Sequence, residues 1–154
     1  MGFTEAVETC LKRKYATFSG RAARSEYWWF ILFNYIVMLV IGGIAALIVT
    51  ATLDSTTGAP SVIGYLFMGI AAIVILALFI PSIAVAVRRL HDRNLSGWWY
   101  LGLVLVSLIP IIGSIVSLVG SIAMLVIFCL RGTPGDNKYG PDPLNPAGRA
   151  DIFA

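Results

Sequence analysis

The sequence predicts an all-α fold: a polytopic membrane helical bundle with two long spans, a proline-broken helical hairpin and an N-terminal interfacial amphipathic helix. Three observations carry that prediction. The 154-residue chain is 58% hydrophobic and 12% charged, with a mean hydropathy of +0.87, too apolar for a surface facing water. Its apolar residues collect in three long runs, 27–50, 62–87 and 98–130, none of which holds a Lys, Arg, Asp, Glu or His. All eleven Lys and Arg lie outside those runs. One transmembrane domain, 27–130, is therefore expected between a cytoplasmic or interfacial segment, 1–26, and a Gly/Pro-rich tail, 131–154.

The N-terminal segment reads as an amphipathic helix over 3–18. Phe3, Val7, Cys10, Leu11, Tyr15 and Phe18 recur at helical spacing, and Glu5, Glu8, Lys12 and Arg13 take the other face. Thr4 is the expected cap and Gly20 the expected stop. Such a helix either lies in the headgroup plane or packs on the protein's own helices.

A hydrocarbon core of about 30 Å needs roughly 20 helical residues, so 27–50 and 62–87 are each long enough to cross. The first run is too long for a cleaved leader and follows Glu5, Glu8 and Glu26. As one straight helix, 98–130 would reach about 50 Å, well past the bilayer core. Ile109-Pro110-Ile111-Ile112-Gly113 breaks it, because proline removes a donor and glycine permits a turn. Two arms result, 98–109 and 111–130. The first is only about 18 Å long, which leaves a pair of short spans and a re-entrant hairpin both open.

Topology follows from the basic residues. Five lie in 1–26 (Lys12, Arg13, Lys14, Arg21, Arg24), three in 88–97 (Arg88, Arg89, Arg93) and three in the tail (Arg131, Lys138, Arg149). The loop 51–61 has none. Positive charge marks the cytoplasmic side, so the N-terminus is expected inside and the Asp54 loop outside. A hairpin returns the C-terminus to the cytoplasm. The net charge of +3 is thus a topology signal, and no nucleic-acid partner is expected.

Inside the runs the small and polar residues suit packing. Gly113, Ser117 and Ser121 fall at i, i+4 and i+8, a stripe that admits a neighbouring backbone. Pro81 leaves the carbonyl four residues back without its helical partner, and Ser82 stands beside it.

Chemistry is confined to three polar stretches, 18–29, 88–99 and 132–143. They bring Arg21, Arg24, Glu26, Arg88, Arg89, His91, Asp92, Arg93, Asn137 and Tyr139 toward one face. These residues either lock helix ends together or bind a protein partner or anionic lipid headgroups, since arginine presents forked donors to phosphate. Neither a metal nor another cofactor is expected: His91 is the single histidine, and Cys10 and Cys129 stand apart. His91-Asp92 lacks an activated nucleophile, so no enzyme is predicted. The alternative is a small oligomeric channel or transport accessory subunit, although the spans carry no relay of ionisable residues.

The three stretches together resemble the bacterial inner-membrane proteins classed as domain of unknown function 805. The likeness rests on Phe18, Gly20, Arg21, Arg24, Glu26, Tyr27 and Trp28; on Arg88 through Asp92 with Ser96, Gly97, Trp98 and Trp99; and on Gly132, Thr133, Gly135, Asn137, Tyr139, Gly140, Pro141 and Pro143. The resemblance implies an inner-membrane location and a shared fold. It implies no reaction.

Overall fold

A computed structural model of the chain describes residues 1–145, which form five α-helices and no strand. The last tail residues, Arg149 among them, lie outside the described residues. Helix α1 runs Phe3–Glu8 and continues into a π-helical turn, Thr9–Arg13. Long helices α2 (Arg24–Ala51) and α3 (Val62–Asp92) follow, then α4 (Trp98–Val106) and α5 (Ile112–Cys129). Among these residues α2 and α3 are long and apolar enough to cross a bilayer.

The N-terminal helix is shorter than its periodicity predicts. Gly2 occupies the N-cap in place of Thr4, and its amide donates to Glu5 Oε2 at 3.3 Å. Helical geometry ends after Arg13, and residues 14–23 form an open segment in which Gly20 takes φ +83. Tertiary contacts override the helical pattern there: Ala22 N donates to Arg88 O at 3.0 Å, and Arg21 is drawn into the protein. The segment packs on the protein's own helices. Phe3 meets Trp29 edge-on at 5.9 Å, and Ala6, Thr9 and Cys10 are buried. The Tyr15 hydroxyl reaches Ala77 O at 2.5 Å.

Helices α2 and α3 pair along their length, and most of their outward side chains stay uncovered. Leu39 and Leu47 are 77% and 70% exposed, a continuous apolar surface that only lipid or another apolar partner satisfies. The buried core sits at the charged end, where Cys10, Ala22, Phe30, Val85, Leu90 and Phe128 cluster. At the opposite end Asp54 closes the α2–α3 loop. Its carboxylate accepts from the Thr56 hydroxyl and from the amides of Thr57 and Thr56, both at 2.8 Å, which together hold its carboxyl well below the usual carboxylate range. Ser61 caps α3 by accepting from Gly64 N at 3.1 Å.

The α4–α5 pair is an antiparallel hairpin broken at Ser107–Ile111 rather than at Pro110 alone. Ile111 takes φ +65, a conformation that β-branched residues rarely adopt. Gly113 lies against the carbonyl of Val106, and Gly120 lies against Leu103, where an added Cβ would collide in either case. Helix α4, nine residues long, rises only about 13 Å.

Candidate functional site

Five ionised side chains are buried together at the charged end. Arg21, Glu26, Arg88, Arg89 and Asp92 are each 5% exposed or less. Removing charges from water costs several kcal/mol apiece, so the cluster persists only because every charge is paired. Arg88 of α3 pairs with Glu26 of α2. Arg89 lies about 100° further round α3 and pairs with Asp92 one turn on. Asp92 also receives Arg21, whose Nη2 is 2.8 Å and Nε 2.9 Å from Oδ1. Three cations thus face two carboxylates. Main-chain carbonyls supply further acceptors to Arg21 and Arg89, while Arg88 Nε is buried without a partner among the described residues.

Those carbonyls come from α5 and the tail. The last carbonyls of a helix have no partner of their own. Here Phe128 O and Leu130 O accept from Arg89, Cys129 O accepts from Arg24 at 3.4 Å, and Arg131 O accepts from Arg93. Three arginines from α2, α3 and the turn after α3 therefore cap the end of α5, where the helix dipole favours positive charge. The end of α3 is capped in return. Asp92 O accepts from Thr133 N at 2.9 Å, and His91 O accepts from Asn137 Nδ2 at 2.9 Å. Asn94 at φ +59 ends α3 itself.

The tail folds around the Arg21 guanidinium. Thr133 O and Gly135 O accept at 2.6 Å, and Gly140 O at 3.4 Å. Gly135 at φ +71 and Gly140 at φ +134 permit the turns, and Gly132 leaves room for the Asp92 carboxylate. The His91 ring stacks on Tyr139 at 3.8 Å with its Nδ1 3.2 Å from Gly20 O. His91 and Asp92 therefore face different partners and do not form an acid–base pair. No group of three or more His, Cys, Asp or Glu among the described residues is placed to hold a metal.

From the sequence Cys10 reads only as a residue of the amphipathic face and as a cysteine standing apart from Cys129. Its Sγ lies 3.9 Å from Glu26 Oε1 and 3.8 Å from Arg88 Nη2. Burial, reinforced by Glu26 and opposed by Arg88, pushes the thiol up to about 11. Thr133 and the main chain of residues 20–22 also belong to the cluster, and only tertiary structure reveals them. Arg24 is exposed and Arg93 half-buried, so they edge the clasp while Arg21, Arg88 and Arg89 fill it.

Clasped at this end, the hairpin diverges from α2 and α3 further along. The gap is a crevice of about 610 Å³, lined by Trp28, Asn34, Tyr35, Ser82, Ser117 and Ser121 among mainly apolar neighbours. Ser117 and Ser121 thus border this opening, while Gly113 packs within the hairpin turn. A second hollow of about 800 Å³, between α4, α5 and the end of α3, is almost wholly apolar.

Residues 15–141 match the family model described as Protein of unknown function (DUF805). The chain is 37% identical over 131 residues to Inner membrane protein YhaI of Escherichia coli (strain K12), covering 85% of this chain and 89% of the relative. It is 39% identical over 132 residues to Inner membrane protein YhaH of the same strain, covering 85% and 90%. Uncharacterized protein YiiR of that strain is 29% identical over 149 residues, covering 88% and 91%. No solved structure matches.

Proposed function

Because the chain belongs to the DUF805 family, we propose that it is a non-enzymatic inner-membrane protein whose clasped end faces the cytoplasm and binds anionic lipid headgroups through its basic rim. One observation carries the reading: the arginines divide into two sets. Arg21, Arg88 and Arg89 are consumed by internal partners, and no phosphate reaches them without breaking the fold. Lys12, Arg13, Arg24, Arg131 and Lys138 are exposed around the same end. Trp28, Trp29, Trp98 and Trp99, all exposed, supply interfacial aromatics beside them. Each surface cation contributes about 1 kcal/mol of attraction to an anionic leaflet. The positive-inside rule supports the orientation. The clasp itself is structural, holding the rim in a fixed arrangement.

The test is lipid analysis of the full chain extracted in native nanodiscs. Phosphatidylglycerol enrichment around the protein is expected to fall severalfold in K12Q/R13Q/R24Q/R131Q. Unchanged enrichment removes the reading. A reporter fused after Ala154 is expected to read cytoplasmic, and an external readout overturns the orientation.

A further inference from the structure

We infer that the crevice between the α2–α3 pair and the α4–α5 hairpin holds one acyl chain of an anionic phospholipid whose headgroup sits on Arg24. The choice of leaflet and headgroup rests on the proposed function; the chain site rests on the crevice itself. Its depth is the first argument. The lining runs from Tyr27 to Met38 on α2 and from Ser117 to Phe128 on α5. Eleven residues rise about 16 Å, close to the roughly 15 Å of a single leaflet's hydrocarbon. The opening therefore matches a chain entering at the charged end and stopping near the midplane.

Wall chemistry is the second argument. Ser82 donates to Leu78 O at 2.6 Å, Ser107 to Val104 O at 2.6 Å and Ser121 to Leu118 O at 2.9 Å. Asn34 donates to Phe30 O at 2.9 Å. These donors are spent on their own helices, and Ser82 also reaches Asn34 Oδ1 across the α2–α3 interface at 3.5 Å. Among the described residues Ser117 Oγ, alone of the crevice hydroxyls, is buried without a partner. The wall thus presents a mainly apolar surface rather than the array of interhelical polar contacts that holds a partner span. Close backbone approach is also blocked on the α2–α3 side by Tyr35, Met38 and Phe79. A flexible hydrocarbon chain fits such a wall better than a second helix.

The mouth is the third argument. Arg24 lies four residues before Trp28 and so on the same face of α2, one turn beyond the lining. It is exposed and makes a 3.4 Å bond to Cys129 O. A phosphate there meets a guanidinium one helical turn beyond the lining.

The experiment is native mass spectrometry of the full chain released from nanodiscs containing phosphatidylethanolamine and phosphatidylglycerol. The wild type is expected to carry one phosphatidylglycerol. Filling the crevice with S117L/S121L, or more gently with S121L alone, is expected to lower that occupancy at least fivefold and about twofold, respectively. R24Q is expected to keep a lipid adduct but lose the preference for phosphatidylglycerol. In a C129S background, protection of Cys10 from a water-soluble maleimide reports that each variant is folded. An adduct undiminished in both leucine variants, a bare wild-type monomer, or a lipid-free dimer overturns the inference. Loss of rim enrichment in K12Q/R13Q/R131Q with an adduct surviving in S117L/S121L rejects the crevice alone; the opposite pattern rejects the rim alone.

Discussion

The Tyr15 hydroxyl donates at 2.5 Å to the carbonyl of Ala77, the carbonyl that Pro81 deprives of its helical partner. The gap that Pro81 leaves in the hydrogen-bond ladder of the longest helix is thereby filled by the N-terminal segment, 62 residues earlier. Tyr15→Phe strands a carbonyl and is expected to cost about 1–3 kcal/mol. Pro81→Ala restores the amide donor, so Tyr15→Phe in that background should cost well under ~1 kcal/mol. A double-mutant cycle by denaturation in mixed micelles measures the coupling. Equal costs in the two backgrounds would rule out this role for the hydroxyl.

The Glu26–Arg88 pair should behave as a buried charge pair. Glu26→Gln or Arg88→Met alone leaves an uncompensated ion at a fully buried site, a loss of about 3–5 kcal/mol. The joint replacement E26L/R88M removes both charges and is expected to recover most of that loss. Unfolding midpoints of the three variants decide the matter, and additive losses would contradict the pairing.

Arg21 should control the tail. Its guanidinium holds Thr133 O and Gly135 O, so Arg21→Ala is expected to raise hydrogen exchange and protease cleavage over 132–143 by an order of magnitude or more. Arg21→Lys should rescue little, since one ammonium cannot reproduce the planar fork that also meets Asp92. Limited proteolysis of purified protein reads this directly.

The sequence made the apolar runs, the hairpin break near Pro110 and the set of charged residues legible, because length, hydropathy and proline chemistry are local. It did not separate Arg21 from Arg24. Three residues apart, one is buried and the other exposed, because residues 14–23 leave the helix to meet Arg88 O and the tail carbonyls. The chemistry of Arg21, Arg88 and Arg89 alone suits phosphate, but the carbonyls that Arg21 and Arg89 bond lie 39 to 119 residues away and the Arg88 carboxylate partner lies 62 residues away. Cys10 and Tyr15 carried only an amphipathic signal for the same reason. Helical spacing marks the face they share, and it does not name Glu26 or Ala77 as the partner.

Glycines at two places should respond in opposite directions. At Gly132 an added methyl meets the Asp92 carboxylate, so Gly132→Ala is expected to cost about 1–3 kcal/mol and to loosen the tail. Gly102, inside α4, has open space where a Cβ would stand, and Gly102→Ala should gain about 0.5–1 kcal/mol of helix stability. Thermal unfolding in detergent compares them. A neutral Gly132→Ala would mean that the tail does not close over Asp92.

Cys10 provides a pH test of the clasp. Its thiol, buried and beside Glu26, ionises near 11 in the fold against an ordinary value of 9.0. The folded state therefore favours the protonated thiol. Its contribution to stability is full below pH 9 and declines as pH rises from 9 toward about 11, because the unfolded chain releases that proton first. In a C129S background, a water-soluble maleimide should label Cys10 slowly at pH 7.5, since the thiolate is the nucleophile and the site is closed. Glu26→Gln removes a negative neighbour and opens the pair, so labelling at that pH should accelerate at least tenfold. Rapid labelling of the C129S protein itself would show that the thiol is not enclosed between Glu26 and Arg88, and that the N-terminal segment does not seal the buried charges.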